Sequence, residues 1–366
     1  MPKFILGWLV CLVCLLPVVS SAQEKPLVYF ANPGYQDDSF FGLMTDFMLA
    51  AADDLGFELK VFYGERNHVL IDENIRTIYK GDRRPDYVIG MDARGSGAVM
   101  LAMGEEQGIK TIFVNQSFLH KERTRMGMPG QNYKNWLFEY LPDDVHAGYI
   151  LGKKLIQSAV DRKLFDNDGS VVIAAISGHD QSAASILRMQ GVRKAVAEFP
   201  QARLVQSVSA GWRRDKAHNL ALRLMDRYPE LSVCWAASDL IAMGAVDAMG
   251  ERGKVPGKDI IVGGVDWSNV ALPLIRDGRL AGSAGGHFMD GGFALVMLYD
   301  LIHGVAVSPL SRSRFSLLTR ENVDDYINHF GTNDWGQIDF RKFSKVLNPE
   351  VKEYDFSLKA VLEQVR

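Results

Sequence analysis

Between residues 233 and 293 the chain alternates short apolar runs with longer helical segments, and this rhythm restricts the fold more than any other feature. VCWAASD (233–239), IIVGGVD (260–266) and LAGSAGGHF (280–288) are short apolar runs that end on polar residues. LIAMGAVDAMGERG (240–253) separates the first two, and a second helical segment separates the last two. Such runs between helices read as buried strands of a parallel sheet. In open α/β sheets, ligands gather outside the carboxyl ends of the strands. Ser238, Asp239, Asp266 and His287 are therefore expected to line one crevice. For Asp239 and Asp266 the alternative is a helix cap, because Asp is a favoured N-cap residue.

The same rhythm organises most of the chain. Strands are predicted at 27–31 (LVYFA), 59–63, 87–90 and 110–114, with helices at 40–55, 72–80 and 97–107. The polar segment 118–136, containing MGMPG, then interrupts as a long surface loop or flap, and a helix follows over 144–159. The pattern restarts with strands at 170–176 and 202–208 and helices at 183–199 and 214–227. After 308 it fades into a strand at 315–319 (FSLLT), a short helix at 322–330 and an unassigned tail. The chain thus holds two α/β units in tandem, without a sequence repeat. This predicts an α/β fold of two Rossmann-like doubly wound lobes. A cleft between two such lobes is a favoured ligand pocket.

Several function classes are disfavoured. A net charge of −3 with no basic stripe argues against a nucleic-acid partner. No G-x-G-x-x-G follows the first strand and no G-x-x-x-x-G-K-[ST] occurs, so no nucleotide cofactor is expected. The histidines show no metal-ligand spacing, and no metal is expected. A secreted enzyme would have to force His179-Asp180 and the carboxylates Asp37-Asp38 into an acid–base set, and nothing spaces a nucleophile, base and orienter together. Residues 1–22 read as a secretory signal peptide cut before Gln23: Lys3 precedes an apolar stretch over 4–19, and Ser20-Ser21-Ala22 supplies small residues at the cleavage site. The stretch is short for a membrane span. Cys11 and Cys14 lie inside it, which leaves Cys234 without a disulfide partner.

The residues resemble a family. DDSFFGLMTDFMLAAADDLGF (37–57), TIFVNQ (111–116), SAASILRMQGVRKAV (182–196), SAGW (209–212), ASDLIAMGA (237–245) and GGVDWSNVALPLIRDGRLAGS (263–283) resemble, in order and spacing, type I periplasmic binding proteins of the ribose-binding class. The resemblance covers about 26–310. Within the class, PGYQDDSFF and the segment after Asn115 are most similar to the receptor of a furanosyl-borate autoinducer.

That resemblance implies two lobes joined by a three-crossing hinge, with crossings near 139–143, 284–287 and 312–317. The first lobe would be 23–140 plus 287–312, and the second lobe with the tail 141–286 plus 313–366. It implies a small sugar-like polyhydroxylated ligand, and a partner that is either the membrane permease of an ABC importer or the periplasmic domain of a sensor protein such as a kinase or cyclase. Residue by residue, it implies ligand contacts from Asp38, Phe41, Asn115, Gln116, Arg188, Trp212, Ser238 and Asp266, to which Tyr35, Gln36 and His287 are added as candidates. Physical chemistry supports the set. Phe41 and Trp212 would sandwich a sugar ring, Arg188 and Asp266 would hold vicinal hydroxyls, and Asn115 offers both donor and acceptor. Phe40 is expected in the core. Gly286 stands where many members carry Gln or Arg, so the site is expected to hold one matched arginine, which disfavours ribose and the borate diester. Arg188 is expected to face a wet cleft, so that Arg188→Ala would leave the fold intact.

Overall fold

The computed structural model describes residues 24–365; the expected signal peptide lies outside the described residues. In chain order the strands are β1 (Leu27–Asn32), β2 (Glu58–Tyr63), β3 (Tyr87–Gly90), β4 (Lys110–Val114), β5 (Trp136–Pro142), β6 (Val171–Ser177), β7 (Ala202–Ser209), β8 (Val233–Ala236), β9 (Ile261–Val265), β10 (Ser283–Gly285), β11 (Leu310–Ser313) and β12 (Ser316–Leu318). They form two six-stranded sheets, ordered β11-β5-β4-β3-β1-β2 and β12-β10-β9-β8-β6-β7. Pairing is parallel except for β12 on β10. Strands such as β3, β6, β8 and β9 are buried along their whole length, as expected where helices cover both faces. The predicted architecture of two doubly wound lobes is the one observed.

In each sheet the strand order reverses beside its first strand, between β1 and β3 and between β6 and β8. The crevices at these switch points open at the strands' carboxyl ends. The chain passes from one sheet to the other between β5 and the helix Asp144–Asp161, between β10 and the helix Asp290–Ile302, and between β11 and β12.

Two segments differ from expectation. The stretch 118–136 is no free flap. It contains the helix His120–Met126 and buries Phe118, Met126 and Trp136. Its Arg123 is anchored on the fully buried Glu139 at 2.8 Å. The tail also departs from its expected place in the second lobe. Helix Val323–Phe330 does pack there, with Tyr326 edge-on to Trp267 at 5.2 Å. Beyond it the chain returns to the first lobe. Trp335 and Phe340 meet Phe47 at 5.5 and 5.0 Å, and Phe356 stacks on Phe293 at 4.2 Å. The buried Asp300 carboxylate accepts from Ser344 Oγ, Lys345 N and Tyr354 Oη at 2.5, 2.7 and 2.8 Å. The tail is thus a fourth link between the lobes.

Candidate ligand-binding cleft

A cavity of about 110 Å³ lies between the two sheets, walled by Asp38, Ser39, Phe40, Phe41, Arg66, Asn115 and Gln116 from one side and by Ser182, Ala184, Arg188, Trp212, Ser238, Leu240, Asp266 and His287 from the other. Asn115 directly follows β4, and Asp266 directly follows β9; Arg66, Trp212, Ser238 and His287 follow β2, β7, β8 and β10 within a few residues. The switch-point rule therefore gathers them.

The first wall is made of loops pinned to the end of β1. Asn32 Oδ1 accepts from Gly34 N at 2.8 Å, and its Nδ2 donates to Thr45 Oγ1 at 3.0 Å, fixing the Asn-Pro-Gly turn. Asp38 Oδ1 accepts from the amides of Phe40 and Phe41 at 3.0 and 3.1 Å, at the start of the helix Phe41–Leu55. Asp38 Oδ2 accepts from Arg66 Nε and Nη2 at 3.0 and 2.5 Å. Both carboxylate oxygens are thus occupied within the protein. Arg66 and its neighbour Glu65 hold left-handed backbone angles, φ 55° and 51°. Their amides bond the carbonyls of Pro33 and Gly34. Asn115 is also left-handed, φ 61°, a region that Asn tolerates better than most residues.

The second wall is buried. Gly148 and Gly191 let the helices Asp144–Asp161 and Ala183–Ala197 touch backbone to backbone; a Cβ on Gly148 would sit 1.9 Å from Arg188 O. This close approach puts Asp144 Oδ1 2.7 Å from Arg188 Nε. Arg188 Nη1 donates to Ala237 O at 2.7 Å, and Nη2 to His287 Nε2 at 3.1 Å. Because Arg188 only donates, His287 accepts on Nε2 and carries its proton on Nδ1. Burial, with the Arg188 charge added, holds His287 well below the usual imidazole range, so it is neutral. Its ring stacks on Phe40 at 4.5 Å and lies 4.6 Å from Phe315. Arg188 is 3% exposed. The expected wet-cleft setting is therefore wrong for this side chain, and its loss would orphan Asp144.

Trp212, also left-handed, lies against Gly178, where a Cβ would meet the indole at 2.2 Å. Asp266 has φ 130° and Trp267 φ 58°. This strained turn is held by Trp267 Nε1 donating to Ser283 O at 2.9 Å. It is also held by Asp239, which accepts from Ser268 N and Oγ and from Ser283 Oγ at 2.8, 3.0 and 2.7 Å. Burial raises the Asp266 carboxyl well above its ordinary range, opposed by Arg188 and reinforced by Asp239. Its nearest cationic or imidazole nitrogens, Arg188 Nη1 and His287 Nε2, stand 3.7 and 3.6 Å away, beyond hydrogen-bond range.

The structure thus brings Asp38, Phe41, Asn115, Gln116, Arg188, Trp212, Ser238, Asp266 and His287 to one cavity. Tyr35 and Gln36 are exposed and line no part of it: the Asn32-pinned turn carries them outward. Asp239 is a fully buried brace rather than a wall residue, and the cap of its helix is Ser238, whose Oγ accepts from Ile241 N at 3.3 Å. Asp266 caps no helix; the next one begins at Leu272. Phe40, expected in the core, is half-buried on the wall. Gln116 is occupied within the protein, with Nε2 on Asp92 O and Oε1 accepting from Ser182 Oγ of the opposite wall at 2.9 Å. Arg66 was missed altogether. It supplies a second arginine, so the argument from a single one does not hold.

Among the described residues no helix is long and apolar enough to cross a membrane, and no cluster of His, Cys, Asp or Glu is arranged to hold a metal ion. Cys234 is a buried free thiol, its pKa pushed up to about 12 by burial.

The profile of the periplasmic binding protein domain family matches residues 28–304. The chain belongs to that family. A periplasmic sugar-binding protein from Pseudomonas fluorescens superimposes with a TM-score of 0.81 at 32% identity, over 92% of this chain and 99% of that one. A D-allose-bound solute-binding protein of an ABC transporter from Actinobacillus succinogenes gives 0.72 at 19% identity, covering 82% of this chain and all of its own, a likeness of fold. Among curated relatives, the D-allose-binding periplasmic protein of Escherichia coli is 29% identical over 38% of this chain, and the D-apiose import binding protein of Paraburkholderia graminis 22% over 70%. These alignments span 45% and 74% of the relatives' own lengths. None of these relatives is described as a sensor receptor.

Proposed function

We propose that this protein is a periplasmic solute-binding protein that captures a small, polyhydroxylated sugar-like ligand between its lobes and delivers it to the membrane permease of an ABC importer. It is a binding module with no catalytic role. The observation that carries this reading is the division of labour across the cavity. The first lobe presents Phe41, Asn115 and Arg66, and the second Trp212, Asp266 and Ser238. Among the described residues, the Asn115 amide makes no hydrogen bond and Asp266 accepts none on its carboxylate. A sugar hydroxyl accepts from the Asn115 amide and donates to the Asp266 carboxylate, while the aromatic rings cover apolar ring faces. A ligand that touches both lobes favours the closed form, whereas one that touches a single lobe has no differential affinity and drives no closure. The allose-, xylitol- and apiose-binding names of its relatives support a sugar or polyol over an amino acid.

Export is the role of residues 1–22 in this reading, and protein recovered from the periplasm should begin at Gln23 by intact mass. A thermal-shift screen of aldoses, furanoses, polyols, amino acids and peptides tests the ligand class. At about one hundred times Kd a specific ligand stabilises the folded state by ~2.7 kcal/mol, and the same ligand should lower the radius of gyration in small-angle scattering. A melt shifted only by amino acids or peptides rules the proposal out.

A further inference from the structure

Each wall of the cleft carries one arginine already matched to a carboxylate of its own lobe, Arg66 to Asp38 and Arg188 to Asp144. Asp38 has no lone pair left for a ligand: Oδ1 takes two backbone amides and Oδ2 takes two guanidinium N–H groups. Arg66 is the opposite case. Its Nη1 donates to nothing among the described residues, its side chain is 36% exposed, and it borders the cavity beside Phe41, with the guanidinium 5.9 Å from that ring. The charged free donor of the first wall is therefore Arg66, on the loop after β2, and its direction is fixed by Asp38 and by the left-handed backbone beneath it.

We infer that Arg66 is a ligand-contacting residue of the first lobe and that Asp38 is its positioning residue, the pair acting as a charge filter that admits neutral sugars and rejects the corresponding sugar acids. The inference rests on the sugar-binding reading above. An acid needs a cation with charge to spare. The cavity and its bonded partners hold two guanidinium groups against the carboxylates of Asp38, Asp144 and Asp266, so no positive charge is in excess. A bound carboxylate near Arg66 would also approach Asp38 across the same guanidinium, and repulsion in a poorly solvated cleft is weakly screened. A hydroxyl accepts from Nη1 without that repulsion. Rejecting a competitor in this way is selectivity by repulsion rather than by added attraction.

Calorimetric titration tests this with ring-retaining pairs that differ only in oxidation at C6: D-allose and D-alluronate, D-glucose and D-glucuronate, D-mannose and D-mannuronate, D-galactose and D-galacturonate. In the wild type the aldose of the responding pair should bind at least about tenfold tighter than its acid. Asp38→Asn keeps an oxygen for the two capping amides and uncovers the Arg66 charge, so it should shrink or invert that ratio. Arg66→Gln leaves Asp38 unopposed and should widen it, chiefly by weakening the acid. Shifts in opposite directions are a result that a purely structural role for either residue would not give. An acid that binds the wild type as tightly as its aldose, or an unchanged ratio in Arg66→Gln, overturns the filter while leaving sugar binding standing. Binding of no member of either class overturns both readings. Should Asp38→Asn fail to give a cooperative melt, the Arg66→Gln ratio decides alone.

Discussion

Arg188 and Arg66 face one cavity from opposite lobes, each beside an aspartate, yet they are held in different ways. Arg188 is fixed by a carboxylate, a backbone carbonyl and an imidazole, between helices that touch through glycine, and it is almost fully buried. Arg66 sits on a surface loop with a single side-chain partner and a left-handed backbone. The second wall is part of a core, and the first is a set of loops pinned to a core. Removing a cation from the second wall should therefore damage folding and recognition together, whereas removing one from the first should alter mainly recognition.

The largest expected effect separates the two. Arg188→Ala would leave Asp144 buried without its cation, a change that costs on the order of 3–5 kcal/mol where a buried pair is broken from one side. Burial already raises the Asp144 carboxyl, and Arg188 is the main influence that lowers it. Arg66→Ala opens the Asp38 carboxylate to water while it keeps the amides of Phe40 and Phe41, and should cost about 1–2 kcal/mol, clearly less than Arg188→Ala. Urea melts of both variants decide this. Equal losses would mean that the walls are equally structural and would end the contrast.

A second test lies within the second wall. Trp212→Ala removes a half-buried aromatic plate that neighbours Arg188, whose guanidinium is 5.8 Å from the indole centre, without unpairing a charge. Ligand affinity should fall about ten- to a hundredfold from lost stacking and burial, with a small loss of stability. Gly178→Ala should mimic it by lifting the indole, because the added methyl meets the ring. Calorimetry on both variants checks this, and Gly178→Ala binding at wild-type strength would show that the indole need not lie where it does.

Most of the fold was legible because its elements are periodic: buried parallel strands give short apolar runs, and the switch-point rule converts their ends into a site. Ser238, Asp266 and His287 were found in that way, by lying at strand ends, whereas Asn115 came from the family resemblance. Arg66 lies at a strand end too, but Gly64-Glu65-Arg66-Asn67 reads as an ordinary polar turn. Only the two left-handed residues and the bond to Asp38 turn its side chain inward, and no local pattern encodes that. Asp239 and Asp266 look alike in sequence, each closing an apolar run. Which one is bare depends on Ser268 and Ser283, tens of residues away from Asp239 in sequence. The tail was unreadable because its anchors, Trp335, Phe340 and Phe356, are isolated aromatics that bury in a neighbour's helices rather than on a face of their own.

The smallest expected effect concerns the contact that ties the walls together. Ser182 Oγ donates to Gln116 Oε1 across the cleft, and Gln116 Nε2 is committed to Asp92 O, so neither group needs the ligand to be satisfied when the lobes are closed. On opening, both would be returned to water. The bond therefore weights the closed form against the open one by the net value of one neutral hydrogen bond, about 0.5–1.5 kcal/mol. Since the ligand binds the closed form, affinity follows the population of that form. Ser182→Ala should weaken every ligand of the protein by the same factor, roughly two- to tenfold, with no change in rank order. Trp212→Ala and the Arg66 variants, which alter contacts to the ligand itself, should reorder a series. Titrating three bound sugars against Ser182→Ala distinguishes the cases: a uniform loss marks a latch, and a loss confined to one sugar makes Ser182 a direct contact and moves it from the hinge equilibrium to the binding surface.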